Sequence, residues 1–167
     1  TIIPPTPAAV LEILKSYQIN LKGKHVVLVG YGKLVGKPLA TMLALAEKDT
    51  TLTVCNKSTK KLSNFTKQAD ILISATGSAK LITNDMIKKG AIIIDAGTTV
   101  IKPKTKDLKL KTKKGLRSSV FRPSLPSIMG DVDFDNVKQK AGAITPPTGG
   151  IGPLTVAKLL ENVVDTK

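Results

Sequence analysis

Apolar positions along this chain fall into two kinds of run that take turns. Val26-Val27-Leu28-Val29, Ile71-Leu72-Ile73 and Ala91-Ile92-Ile93-Ile94 are short, continuous and mostly β-branched. Runs of that kind suit strands buried on both faces of a parallel sheet. Between them the spacing becomes helical, as in Val10, Leu11, Ile13, Leu14 and Tyr17, or in the Leu-, Ala- and Met-rich residues 38–47. The pattern predicts a first helix ending before Asn20, with Thr6 as N-cap and Pro7 at the first helical position. It then predicts strands over 25–29, 51–55, 70–75, 91–95 and 143–145. Helices are predicted over 38–47, 60–68, 84–87, 134–140 and 154–164, the last amphipathic through Val156, Leu159, Leu160 and Val163. Strand alternating with helix implies an α/β fold, a doubly wound and mainly parallel sheet with helices on both faces and ligands at the strands' carboxyl ends. Residues 100–127 break the rhythm, and Lys113-Lys114-Gly115 between two partly alternating stretches predicts an exposed hairpin insert. With no repeat and no interior linker, residues 1–167 read as one domain.

The composition narrows the chemistry. Aromatic residues make up 3% of the 167 and Trp is absent, so the core is built from Val, Ile, Leu and Ala. A single cysteine, Cys55, and a single histidine, His25, exclude an internal disulfide, a cysteine-based zinc site and a Ser-His or Cys-His catalytic pair, and imply no metal. One cysteine also fits a reducing, cytoplasmic compartment. No apolar run reaches the length of a membrane span. The net charge of +14 invites a nucleic-acid reading, but it is concentrated: nine basic residues and one acid lie between Lys102 and Arg122. That stretch has Phe121 alone as a stacking ring, which argues against nucleic acid and for a solvated basic face.

Candidate chemistry centres on Gly30-Tyr31-Gly32-Lys33-Leu34-Val35-Gly36, between a buried strand and a helix. Its glycines allow a tight turn and close approach of backbone to an anion at the helix N-terminus. The spacing is one residue longer than the usual G-x-G-x-x-G of Rossmann-type domains, so a strand-to-helix turn without ligand is the competing reading. At the end of the second predicted strand, where a carboxylate would select NAD, the chain has Asn56-Lys57-Ser58-Thr59. Either Lys57, with Ser58, Thr59 and Lys33, holds a 2′-phosphate and selects NADP over NAD, or it is a solvated surface lysine. Thr76-Gly77 and Gly97-Thr98 close two further strands with small residues, which either leave room for a cofactor or make ordinary tight turns. Asp95 sits at a strand's carboxyl end, where capping nearby backbone accounts for it better than acid–base work.

Several strings then occur in order: Thr6-Pro7, Val29-Gly30-Tyr31-Gly32-Lys33-Leu34-Val35-Gly36-Lys37-Pro38, Thr53-Val54-Cys55, Ile94-Asp95-Ala96-Gly97, Gly130-Asp131-Val132-Asp133-Phe134 and Gly149-Gly150-Ile151-Gly152-Pro153-Leu154-Thr155. Together they resemble the cofactor-binding half of the bifunctional methylenetetrahydrofolate dehydrogenase/methenyltetrahydrofolate cyclohydrolase family. The resemblance implies an NADP-linked Rossmann domain of a two-domain, homodimeric enzyme of one-carbon metabolism. Its partner would be an N-terminal folate domain, absent from this chain, that brings a Tyr-x-x-x-Lys motif with a catalytic lysine. Neither Tyr17 nor Tyr31 begins such a motif, so no catalytic residue is assigned here. The expected outcome is NADP binding without turnover, with an NADP-binding regulatory or structural relic as the alternative.

Carried over, the family pattern places Gly30 and Gly32 under the pyrophosphate; Lys33, Val35 and Gly36 of the same turn, and Thr76 and Gly77 at the third strand's end, join the cofactor-binding set from the readings above, and Tyr31 either stacks on the adenine or is merely exposed. Thr98, Thr155 and Thr6 fall near the nicotinamide end. Gly149, Gly150, Ile151 and Gly152 would face the tetrahydrofolate derivative. Two departures stand out. Where the family commonly has Gly-Arg-Ser the chain has Gly30-Tyr31-Gly32, and where it has Cys-His-Ser-x-Thr the chain has Cys55-Asn56-Lys57-Ser58-Thr59. A cation has left the turn and another stands at the second strand's tip, which leaves the cofactor preference open.

Overall fold

The computed structural model describes residues 2–46, 49–101 and 127–165. Five parallel strands form its centre: β1 (His25–Val29), β2 (Thr51–Cys55), β3 (Ile71–Ser74), β4 (Ile92–Asp95) and β7 (Ala143–Ile144), in the order β2-β1-β3-β4-β7. From β1 the chain goes to the edge strand β2 and then crosses to β3 on the other side. The crevice between the carboxyl ends of β1 and β3 is therefore the switch point at which such sheets take ligands.

The apolar runs explain why these strands are central. Val26, Leu28, Ile71, Ile73 and Ile94 face one layer, where they meet Val10, Leu14, Leu39, Leu43 and Ile151. Val27, Val29, Leu72 and Ile93 face the other, against Ile82, Ile87, Val132 and Val137. Because successive strand residues point to opposite faces, only a strand covered on both sides can be apolar without a break. Fully burying a side chain such as Leu39 or Leu43 contributes about 2 kcal/mol.

The first layer is made by α1 (Pro5–Ser16), α2 (Gly36–Ala46) and α5 (Ile151–Val164). The two ends of the chain are tied there. Lys158 pairs with Glu12 at 3.0 Å, and the Asn162 amide donates to the Ile3 carbonyl at 2.7 Å. The second layer is slighter, with α3 (Ser63–Thr66), a 3-10 turn at Asn84–Met86 and α4 (Phe134–Val137).

Element boundaries differ from expectation in consistent ways. α1 starts at Pro5 with Pro4 as its N-cap, and no side chain caps it, so Thr6 does not. The first helical amides lack carbonyl partners in any case, which lets Pro5 and Pro7 both sit in the first turn. For the same reason α5 starts at Ile151, ahead of Pro153, rather than at residue 154. α3 is one turn long where a helix over 60–68 is predicted, because Lys61 adopts a left-handed φ of 51°. The 3-10 turn replaces the helix expected over 84–87, and α4 ends at Val137 rather than 140.

At the predicted insert, β5 (Thr99–Ile101) pairs antiparallel with β6 (Ser127–Met129), Thr99 opposite Met129. The expected turn at 113–115 and its basic flanks lie outside the described residues. Among those described, no helix is long and apolar enough to cross a membrane.

Candidate dinucleotide site

Parallel pairing brings the carboxyl ends of all five strands to one edge, and with them most of the residues singled out above. Gly30 follows β1 with φ 107°, and a Cβ there would lie 2.3 Å from the Ala75 carbonyl oxygen beyond β3. Only glycine allows the two strand ends to approach so closely. Gly36, at the start of α2, is equally constrained, since its Cβ would stand 2.0 Å from the Gly30 carbonyl oxygen. Gly32 differs: nothing lies within 4 Å of where its Cβ would be. So two glycines of the turn serve packing, and the third leaves bare backbone facing open space. The Lys37 ammonium lies 5.5 Å from the centroid of the Tyr31 ring, a cation–π contact that puts a positive charge beside the turn. Lys33 is exposed and Val35 half-buried, its carbonyl accepting from Leu39 at 3.0 Å.

The tip of β2 is folded on itself. Asn56 Oδ1 accepts from the Ser58 amide at 2.8 Å, the Asn56 carbonyl from the Thr59 amide at 2.9 Å, and Thr59 Oγ1 from the Asn56 amide at 2.9 Å. Lys57 is left exposed on a fixed turn with no carboxylate in it. The Thr59 oxygen, expected to help with a phosphate, is engaged in holding that turn.

Beyond β3, Thr76 and Ser78 donate their backbone N–H groups to the Asp131 carboxylate at 2.6 and 2.9 Å. Gly77 sits between them with φ 67° and nothing within 4 Å of its would-be Cβ. At the end of β4, Asp95 does what the sequence suggested, accepting from the backbone of Gly97 (3.0 Å), Asp131 (3.1 Å) and Val132 (2.9 Å). Burial pushes its carboxyl up, against those three hydrogen bonds, which favour the ionised form. Thr98 is exposed just past this point.

Near β7, Gly149 has φ 79° and, like Gly152, faces open space. Gly150 is hemmed in, its Cβ position 2.5 Å from the Pro146 carbonyl oxygen. Ile151 corrects an expectation: its side chain is in the core among the residues of α1 and α2, so only its backbone is available to a substrate. Thr155 donates to the Ile151 carbonyl at 3.0 Å and lies 3.4 Å from the Thr6 hydroxyl, which unites two residues 149 positions apart.

Two contributors escaped the sequence reading. Lys37 reads as an ordinary helix residue, and Asp131 as part of the chain's return to the fold after the basic segment, although its place in Gly-Asp-Val-Asp beside a glycine was a signal. A cavity of about 470 Å³ opens at the opposite edge, bordered by Tyr17, Lys24, Asp70 and Lys88. It lies at the amino ends of β3 and β4, the end of a parallel sheet where ligands are not expected, and the carboxyl edge remains the better site.

A dinucleotide fits this edge on the donor set present: bare glycine backbone at Gly32 and Gly77, a helix N-terminus behind Gly36, and a cation at the tip of β2. Residues 4–167 match the profile of the NAD(P)-binding domain of tetrahydrofolate dehydrogenase/cyclohydrolase. The chain belongs to this family. It is 46% identical to the bifunctional protein FolD of Chloroherpeton thalassium over 161 residues, 95% of this chain and 49% of that protein. Among solved structures it is similar to FolD methylenetetrahydrofolate dehydrogenase/cyclohydrolase from Campylobacter jejuni, with a TM-score of 0.79, 40% identity, and coverage of 98% of this chain and 49% of that one. It is also similar to the Trypanosoma brucei enzyme complexed with NADP cofactor and inhibitor, with a TM-score of 0.80, 35% identity, and coverage of 97% and 49%. The chain therefore spans about half the length of the family members it matches.

Proposed function

We propose that this chain binds NADP along the carboxyl edge of β1, β3 and β4 and supplies the cofactor half of a methylenetetrahydrofolate dehydrogenase/methenyltetrahydrofolate cyclohydrolase. The observation that carries this is the glycine-lined switch point at Gly30, Gly32 and Gly36, with the uncharged-to-basic tip Asn56-Lys57-Ser58-Thr59 beside it. When bound, the nicotinamide accepts a hydride from the methylene carbon of the folate. The residues of this chain bind and orient. Gly32 and the N-terminus of α2 face the pyrophosphate, Lys57 and Ser58 the 2′-phosphate. Thr98, Thr155 and Thr6 flank the nicotinamide, and the backbone of 149–152 faces the folate.

No paired acid and base lies among these groups, and Asp95 is committed to backbone. The folate-binding half therefore has to bring the proton-transfer group, and the chain alone binds NADP without turnover. The resemblance also supports a homodimer, and the lone cysteine a cytoplasmic setting. Titration calorimetry of the chain with NADP, followed by assay with methylenetetrahydrofolate, tests the reading. Saturable 1:1 binding without NADPH formation is the expected result. Absence of binding, or dehydrogenase activity from this chain alone, overturns it.

A further inference from the structure

We infer that Asp131 is a positioning residue of the dinucleotide site: it fixes the peptide between Ala75 and Thr76 that forms the floor of the glycine turn. The inference rests on the proposed NADP site.

The two faces of that one peptide carry the argument. Its N–H, from Thr76, donates to Asp131 Oδ2 at 2.6 Å. Its other atoms are what Gly30 rests against, for a Cβ on Gly30 would stand 2.3 Å from the Ala75 oxygen, 2.6 Å from the Ala75 carbon and 3.1 Å from the Thr76 nitrogen. A peptide unit is planar and rotates as a whole. Any turn that released the N–H from Asp131 would swing the carbonyl against Gly30, whose left-handed φ leaves it little room to follow.

Asp131 is built for a fixed position. It is wholly buried, and its carboxylate is satisfied by three donors from one stretch of chain, Ser74 Oγ at 2.9 Å and the amides of Thr76 and Ser78. A buried carboxylate is tolerated only with such a complement of donors, so loop and acid are mutually dependent. The carboxylate also lies against the Cα of Gly97, where a Cβ would be 2.0 Å from Asp131 Cγ, so the same group touches the loops after β3 and after β4. Its own backbone is held by Asp95, and the strand-like bridge between Ile82 and Val132 anchors the far side of the loop. With the amides of Thr76 and Ser78 turned inward, Gly77 is the crest presented to the cofactor.

The test is NADP affinity of the whole chain, measured where every variant is fully folded. Asp131→Asn keeps the shape but sets an amide NH2 against an N–H donor, and is expected to weaken NADP binding about tenfold, in line with one unsatisfied buried donor. Ile87→Val, a buried change in the second layer ahead of the amino end of β4, serves as the stability control and is expected to lower the melting temperature but hold the Kd within about twofold. Unchanged affinity in Asp131→Asn, or an equal loss in Ile87→Val, overturns the inference while leaving NADP binding by the parent chain intact. Failure of the parent chain to bind NADP instead overturns the functional reading itself. Should Asp131→Asn not fold, amide NMR of the parent chain decides: Thr76 and Ser78 must be protected from exchange before NADP is added and shift on its addition. Rapid exchange, or no shift during saturation, overturns the positioning role.

Discussion

The carbonyl oxygen of Gly30 and the Cα of Gly36 are in direct contact, so close that a Cβ on Gly36 would stand 2.0 Å from that oxygen. This contact sets the angle at which α2 leaves the turn and so where its free amides point. Gly36→Ala is expected to force the helix outward, destabilising the fold by about 3 kcal/mol, the upper range for overpacking against backbone. Denaturant unfolding should show a lowered midpoint with an unchanged slope. NADP affinity should fall even at denaturant-free equilibrium, because the helix N-terminus has moved.

Lys57 is expected to set the choice between NADP and NAD. Its turn is rigid and free of carboxylates, so Lys57→Glu places a negative charge where the 2′-phosphate would sit, at a site otherwise unaltered. Affinity for NADP should drop by about tenfold or more, as for loss of a charge-assisted phosphate contact, while affinity for NAD is little changed. Parallel titrations with both nucleotides check this, and an unaltered ratio would remove Lys57 from the site.

Gln18 closes α1 in a left-handed conformation, φ 52°, with the Ile19 amide donating back to the Leu14 carbonyl at 2.9 Å. Helices ordinarily end this way on glycine, since an L side chain in that region is strained by about 1 kcal/mol or more. Gln18→Gly should therefore raise stability by about 0.5 kcal/mol, after the greater freedom of glycine in the unfolded chain is offset. Thermal unfolding should show a small rise in Tm with NADP affinity unchanged.

Asp70 ties the amino ends of the strands together. Its carboxyl is held below the usual range first by the hydrogen bond from the His25 amide, at 2.9 Å, and then by Lys88 at 2.6 Å. A carboxyl with a depressed folded-state pKa contributes stability above its unfolded value, near 3.9, and loses it as pH falls through the lower folded value. Asp70→Asn should therefore be less stable than the parent near neutral pH, with the gap closing below about pH 4. A gap constant from pH 7 to pH 2 would show that charge plays no part.

The sheet and the glycine turn were legible in the sequence because both depend on short-range signals. The β-branched run Val26 to Val29 suits a strand covered on both faces, and Gly30-x-Gly32-x-x-x-Gly36 after it suits a tight turn into a helix. The strings from Thr6 to Thr155 were enough to identify the family. Local sequence was misleading where a residue's use depends on what approaches from elsewhere. Thr6 has the chemistry of an N-cap, yet Pro4 takes that place, the helix starts at Pro5, and Thr6 meets Thr155 from far along the chain. Ile151, within a glycine-rich string, turned out to be core because α5 starts early and packs against α1, which turns that side chain inward.

Asp95 and Asp131 divide along the same line. Neighbouring residues alone predict a doubly wound sheet with a glycine turn into a helix after its first strand, since strand burial and glycine conformation are local properties. That Asp131 meets Ser74, 57 residues away, and the amides of Thr76 and Ser78 depends on the tertiary arrangement. A buried carboxylate must collect its donors from whatever backbone the fold brings to it, and no periodicity in the sequence records which backbone that is.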